Sequence, residues 1–287
     1  SNALFSNTYT SGLLKRVLGL ASERSLPRVS RMNFNRVLKR YQRESVQRNR
    51  VILFIDEFCR YLDVSIAKDA IELLCRLGYK VELFYGESGR TFLSKGFLKQ
   101  AHKILDNNIK RLQLQISEHV FFVGIEPSAV LSFRDEYLRL AGNKKAAKKI
   151  AEHSFLIEEF LSMEMEKGHL KASQFTKVAK TIKFHGHCHQ KALSNQKSTF
   201  DVLNFPENYK VTLITSGCCG MAGSFGYEKQ HYAVSMQIGE LRLFPSVRNA
   251  DDGVIIAANG TSCRHQIFDG TGRVAKHPVS ILREALV

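Results

Sequence analysis

Tyr209-Lys-Val-Thr-Leu-Ile-Thr-Ser-Gly-Cys-Cys-Gly220 decides the fold. Its first seven residues, through Thr215, read as a strand, because Val, Thr, Leu and Ile suit an extended, half-buried backbone. Gly217-Cys-Cys-Gly220 then reads as a loop. Its two glycines permit the tight backbone that lets two adjacent cysteines point at one centre. Upstream, Thr181-Ile-Lys-Phe184 is a strand that runs into His185-Gly-His-Cys-His-Gln190, and a helix is expected from Lys191 to about Leu203. Downstream, a helix is expected around Tyr227 to Leu243. The strand Gly253-Val-Ile-Ile-Ala-Ala258 follows and ends at Asn259-Gly-Thr-Ser-Cys263.

The same order occurs earlier in the chain. Val51-Ile-Leu-Phe-Ile55 is a continuous apolar run, the mark of a strand buried on both faces. Ile66 to Leu77 is an amphipathic helix closed by Gly78. Val81-Glu-Leu-Phe-Tyr85 is the next strand, Gly86-Glu-Ser-Gly89-Arg90 a loop, and a helix of about 20 residues is expected from Phe97. His119-Val-Phe-Phe-Val-Gly-Ile125 is a third strand, ending at Glu126-Pro127-Ser128. Alternating strands and helices imply parallel sheets covered on both faces. The landmarks correspond in spacing: 27 residues from Cys59 to Gly86 against 29 from Cys188 to Gly217, and 42 from Gly86 to Ser128 against 45 from Gly217 to Ser262. The chain therefore reads as an α/β protein of two parallel-sheet halves related by internal duplication, with a helical N-terminal arm and a helical connector.

The expected boundaries follow. Residues 1–3 (Ser-Asn-Ala) read as the scar of tag cleavage. Residues 4–50 are the arm, with Leu13, Leu14, Val17, Leu18 and Leu20 at helical spacing. Residues 51–140 are the first half, 141–180 the connector, and 181–287 the second half. The 42 Lys and Arg against 27 Asp and Glu leave a net charge of +15, which suits an anionic partner. The basic residues are spread along the chain. The densest run, Asn143-Lys-Lys-Ala-Ala-Lys-Lys-Ile150, reads as a solvated helix face or as a docking face. No nucleic-acid motif with interleaved aromatics is present. No apolar run approaches the roughly 20 residues of a membrane span. Six cysteines in 287 residues are too few for a disulfide scaffold and fit a reducing compartment.

Four of the six lie at the three strand ends of the second half: Cys188, Cys218, Cys219 and Cys263. The corresponding positions of the first half hold Cys59, Glu87, Ser88 and Ala129. The loops after the strands of a parallel sheet gather at one edge, which reconciles separations of 30 residues from Cys188 to Cys218 and 44 from Cys219 to Cys263. Four thiolates there suit an iron–sulfur cluster or zinc. His185, His187 and His189 alternate along what reads as an extended segment, sharing a face opposite Cys188, as ligands or proton carriers. His265, two residues after Cys263, is a further ligand candidate. Met221, Phe225 and Tyr227 read as packing around the site, Cys75 as core, and Cys59 as a thiol without its partners. Arg134, Asp135 and Glu136 read as an ion-pair network, or as a contact to substrate, cofactor or partner. Gly86-x-x-Gly89 lacks the Lys-Ser/Thr of a phosphate loop.

Phe184-His-Gly-His-Cys-His-Gln-Lys-Ala-Leu193, Ser216-Gly-Cys-Cys-Gly-Met-Ala-Gly-Ser-Phe-Gly226 and Ala258-Asn-Gly-Thr-Ser-Cys-Arg-His-Gln266, with Glu126-Pro-Ser-Ala129 and Arg134-Asp-Glu-Tyr137 in the first half, resemble the cysteine-rich CCG domain family. The family includes the heterodisulfide reductase B subunit and the iron–sulfur subunit of glycolate oxidase. The best match is the C-terminal region of fused FAD-linked oxidases of the D-lactate or D-2-hydroxyglutarate dehydrogenase-like type. The resemblance covers nearly the whole chain. It implies two Rossmann-like halves about a pseudo-twofold axis, and electron transfer between a flavin, iron–sulfur centres and an outside acceptor. Carried over, the metal ligands are Cys188, Cys218, Cys219 and Cys263, with His187, His189 and His265 tuning the centre or relaying protons. The family's fullest pattern ends in Cys-x-x-Cys, whereas this chain has Cys263-Arg-His-Gln266. That argues against a large non-cubane cluster and leaves a [4Fe–4S] cluster or zinc. The first half is expected to hold no cluster. FAD and ferredoxin-like clusters would sit in partner domains of a larger protein, of which this chain would be an excised C-terminal piece, inactive alone. The expected location is the cytoplasm, with peripheral contact at the inner membrane face as an alternative. A structural zinc module and, last because a vicinal disulfide is strained, a thiol–disulfide reductase using Cys218 are the rival readings.

Overall fold

The computed structural model describes residues 8–42 and 49–287. Residues 1–3, expected to be a tag scar, and the arm residues 4–7 and 43–48 lie outside the described residues. Seven strands form two parallel sheets. The first contains β1 (Arg50–Ile55), β2 (Lys80–Tyr85), β3 (Phe121–Gly124) and β4 (Ser154–Leu156), in the order β2-β1-β3-β4. The second contains β5 (Lys180–His185), β6 (Tyr209–Leu213) and β7 (Ile255–Ala258), in the order β6-β5-β7. Leu53 pairs with Leu83 and Val123, and Ile182 with Val211 and Ile255. In each half the first strand is thus central and the second and third flank it. The α/β class with two parallel-sheet halves is as the sequence predicts.

Val51 through Ile55 have no exposure, the outcome expected of a central strand covered by helices on both faces. Val51, Leu53 and Ile55 point into one core cluster with the helix Val64–Arg76, Ile182 and Phe184 of β5, and the helix Pro278–Ala285. This cluster crosses from one half to the other. Two others belong to one half each: Ile52, Phe54 and Phe122 in the first, and Ile214, Met221 and Phe244 in the second. Cys75 lies in the shared cluster, as the sequence predicts.

Several elements differ from expectation. The connector holds the helices Lys144–Glu152 and Ile157–Glu166, but Ser154-Phe-Leu156 between them pairs with Phe122 to Gly124 as a fourth parallel strand. The helix expected from Lys191 to Leu203 is two helices, Cys188–Leu193 and Lys197–Leu203. Ser194 breaks it at φ −150°, ψ −143°, with its hydroxyl turned onto Glu159 rather than along the helix. The helix from Phe97 is 15 residues, Leu98–Leu112, and Gly96 at φ +77° separates it from a short turn at Arg90–Ser94. The helix expected at Tyr227–Leu243 runs Tyr232–Arg248 and contains Pro245.

The arm packs on both halves. Its helix Phe34–Gln42 lies on the helix Val64–Arg76. Between the helix Thr8–Val17 and residue 34, Arg24 is fully buried against the second half. It donates from Nε to the Gly226 carbonyl at 2.6 Å, from Nη1 to Asp269 at 3.1 Å and from Nη2 to Ser235 Oγ at 2.8 Å. Among the described residues no helix is long and apolar enough to cross a membrane.

Candidate metal centre

The carboxyl ends of β5, β6 and β7 bring Cys188, Cys218, Cys219 and Cys263 together. Cys188 is the first residue of a helix whose N-cap is His187, and Cys263 lies in the first turn of the helix Thr261–Thr271. A thiol there gains from the partial positive charge of the helix N-terminus. Two glycines make the approach possible. Gly220 adopts φ +94°, and a Cβ on it would lie 2.2 Å from the Ser235 carbonyl oxygen. A Cβ on Gly260 would lie 2.3 Å from the His187 ring.

The thiols form a chain of contacts. Hydrogen bonding from Cys188 and then Cys219 holds the Cys218 thiol far below its usual range, with a further contribution from the Gly220 N–H, 3.3 Å from Cys218 Sγ. Cys219 bonds in turn to Cys263, which is also lowered. Cys188 and Cys219, as the proton-holding partners, are pushed up. Mutual hydrogen bonding thus favours the thiolate form at Cys218 and Cys263, the form that binds a soft metal. Cys219 and Cys263 are buried, Cys188 is half-buried and Cys218 is exposed. Cys188, Cys218 and the little-exposed Cys219 line a cavity of about 460 Å³ between the halves. Phe58, Leu62 and Arg90 of the first half form its opposite wall.

The histidines do not share one extended face, because β5 ends at His185 and the helix begins at Cys188. His187 caps that helix: its Nδ1 accepts the His189 N–H at 3.1 Å, and its ring stacks on His189 with centroids 5.3 Å apart. Both line the cavity. Burial, and then the neighbouring His187 and Arg90, bring His189 down to about 4, so it is neutral at neutral pH. His265 also lines the cavity, with Nδ1 2.7 Å from the Tyr227 hydroxyl, and burial lowers it too. His185 lies instead among the buried thiols. One of its ring nitrogens and the sulfurs of Cys219 and Cys263 all lie within 4.8 Å of one another.

Other singled-out residues lie elsewhere. Cys59 is in the shared core, where burial and the nearby Asp56 and Asp63 raise its thiol. Arg134 makes two bonds to Glu159, at 2.9 and 2.7 Å, and one to the Ser154 carbonyl at 2.7 Å. Two cross-half contacts escape sequence reasoning. Glu126 Oε2 accepts the Thr261 N–H at 2.8 Å, and Arg264 donates to Asp63 at 2.6 Å. The first had a faint signal: the helix carrying Cys263 has Gly260 at its N-cap, so its first N–H groups need an acceptor from elsewhere.

No protein-family model matches the chain. It is 28% identical over 250 residues to the D-2-hydroxyglutarate dehydrogenase of Haemophilus influenzae, an alignment covering 84% of this chain and 24% of that protein. It is 28% identical over 243 residues to the Escherichia coli D-2-hydroxyglutarate dehydrogenase, covering 84% of this chain and 23% of that one. To one subunit of the anaerobic glycerol-3-phosphate dehydrogenase of Escherichia coli it is 24% identical over 278 residues, covering 96% of this chain and 69% of that subunit. The chain is therefore similar to part of larger oxidoreductases, and spans about a quarter of the length of the D-2-hydroxyglutarate dehydrogenases it matches.

Proposed function

We propose that this chain is the iron–sulfur, electron-transferring part of an FAD-linked 2-hydroxy-acid dehydrogenase. Cys188, Cys218, Cys219 and Cys263 are the candidate thiolates for a [4Fe–4S] cluster. The observation that carries this reading is the convergence of four thiols, from loops up to 75 residues apart, at one sheet edge beside a cavity. The chemistry of the donors fits: soft sulfurs, two of them lowered toward the thiolate by their neighbours. When bound, a cluster supplies reversible one-electron storage.

The chain's own residues do the rest. Cys263 and the little-exposed Cys219 would hold the centre on its buried side. Cys188 and Cys218 place it at the cavity, where an electron donor or acceptor can approach. His187, His189 and His265 are available to take or give a proton there. Glu126 holds the first turn that carries Cys263. FAD-binding and ferredoxin-like partner domains would supply the oxidation of the hydroxy acid. In the cell the protein would then be cytoplasmic or held at the inner face of the membrane by its partners.

A structural zinc module is the second reading, favoured by one observation: the tightest donor group mixes one imidazole with two buried thiols, a set zinc also takes. Iron, sulfide and zinc analysis with a visible spectrum, on protein purified without oxygen, separates the two. About four irons and four sulfides per chain, lost in Cys263→Ser, are expected. One zinc without sulfide would replace electron transfer by a docking role.

A further inference from the structure

The candidate ligands above are all sulfur, yet the most enclosed unpaired donor at the site is a nitrogen. His185 has no exposure. Its Nδ1 lies 2.7 Å from Ser216 Oγ. The Ser216 hydroxyl donates to the Ile214 carbonyl at 3.4 Å, which leaves its lone pairs to accept from Nδ1–H. Lys191 fixes that loop, with Nζ 2.7 and 2.9 Å from the Ser216 and Gly217 carbonyl oxygens. In the tautomer in which Nδ1–H donates to this hydroxyl, Nε2 carries the lone pair. Nε2 is buried without a hydrogen-bond partner. Such an atom is costly to leave unpaired. The group that His185 forms with Cys219 and Cys263 is the only set of His, Cys, Asp and Glu of metal-binding dimensions among the described residues. Ligating histidines characteristically donate their second ring nitrogen to a fixed acceptor, which is the role Ser216 fills here.

We propose that His185, through Nε2, is a ligand of the metal centre. This rests on the metal-centre reading and refines its donor set. His185, Cys219 and Cys263 form a buried inner face. A cubane or a tetrahedral ion has four positions for protein ligands, so only one of the two less buried thiols, Cys188 or Cys218, is needed to complete it. The other faces the cavity as a free sulfur. An imidazole in place of a thiolate makes the centre less negative and raises its reduction potential.

The test uses the full chain with ¹⁵N-labelled histidine, loaded and reduced without oxygen. Pulsed electron-nuclear spectroscopy is expected to show one strongly coupled imidazole nitrogen. His185→Cys is expected to keep the metal, lose that coupling and titrate at a lower potential. His187→Gln, His189→Gln and His265→Gln are each expected to retain the coupling, so the assignment stands on them if His185→Cys does not fold. Either Cys188→Ser or Cys218→Ser is expected to keep full metal content. On zinc-loaded protein, X-ray absorption reads the same assignment as one nitrogen among sulfurs. Metal bound with sulfur donors alone, or a coupling that survives in His185→Cys, overturns the role of His185 and leaves the metal centre standing. Protein that binds no metal overturns both.

Discussion

The two halves share a frame and differ in what the frame holds. Each places its first strand in the centre of a parallel sheet and sends three loops to the same edge. In the second half those loops hold thiols in contact with one another across a cavity wall. In the first half the corresponding positions are satisfied locally. Ser88 gives its N–H and hydroxyl to Glu57 at 2.8 and 2.6 Å, the Cys59 N–H goes to Asp56 at 2.8 Å, and Ala129 is packed in the core. A site for a soft metal needs sulfur donors gathered at one point, and among the described residues only the second half gathers them. The first half instead lends carboxylates outward: Glu126 and Asp63 hold the helix that carries Cys263.

The largest expected effect breaks this comparison at its centre. Cys263→Ser is expected to abolish metal binding, whereas Cys59→Ser leaves metal content unchanged; equal loss in both variants would erase the distinction. Next is the link between halves. Arg264→Met leaves the Asp63 carboxylate buried without its guanidinium, and is expected to cost about 3–5 kcal/mol in denaturant unfolding. A cost near zero would mean that the seam does not hold the halves together.

A third expectation concerns pH. Glu158 is fully buried at the seam, with no hydrogen-bond partner on either oxygen and 4.0 Å from His277 Nε2. Burial pushes its carboxyl up to about 8 from an ordinary 4.5. Between those values the folded chain keeps a proton that the unfolded chain has released. Its contribution to stability is therefore fully present below about 4.5 and is lost as pH rises to about 8. Burial lowers His277 to about 3, which acts in the opposite sense and costs stability as pH falls below 6.5. Glu158→Gln fixes the neutral form and is expected to remove a fall on the order of a few kcal/mol between pH 5 and pH 8. Unfolding curves at both values check it, and an unchanged pH dependence would mean that the group ionises freely in the fold. The smallest effect is Glu126→Gln. It replaces an oxygen that accepts two of the four hydrogen bonds, one from a backbone N–H, by a donor, and is expected to lower stability by about 1–3 kcal/mol. No loss would reduce the first half to a spacer.

The strands were legible where their residues are continuously apolar, as in Val51–Ile55, or rich in β-branched residues, as in Tyr209–Leu213. Ser154-Phe-Leu156 was not, because three residues carry no period. The helix start at Cys188 was hidden because His187 is an unusual N-cap and a run of alternating histidines imitates a strand. The meeting of Cys188, Cys218, Cys219 and Cys263 could be read from the repeated order of strands and loops, since spacings that agree within three residues put them at corresponding strand ends. The separate place of His185 could not: it depends on where β5 stops and on Ser216, 31 residues away. Contacts such as Thr261 to Glu126, 135 residues apart, leave no local trace.

Arg24 changes how the chain can be divided. A fragment beginning at residue 180 carries all four clustered thiols and every strand of the second sheet, and so looks self-sufficient. It lacks the guanidinium that joins the Gly226 carbonyl, Ser235 and Asp269, and it lacks Pro27 from the cavity wall. The Gly220 turn packs on the Ser235 carbonyl, so the stretch that presents the cysteine pair rests on a residue tied to the far end of the chain. Such a fragment would be a bowl with its strap cut: the same contents, held by a rim no longer drawn closed.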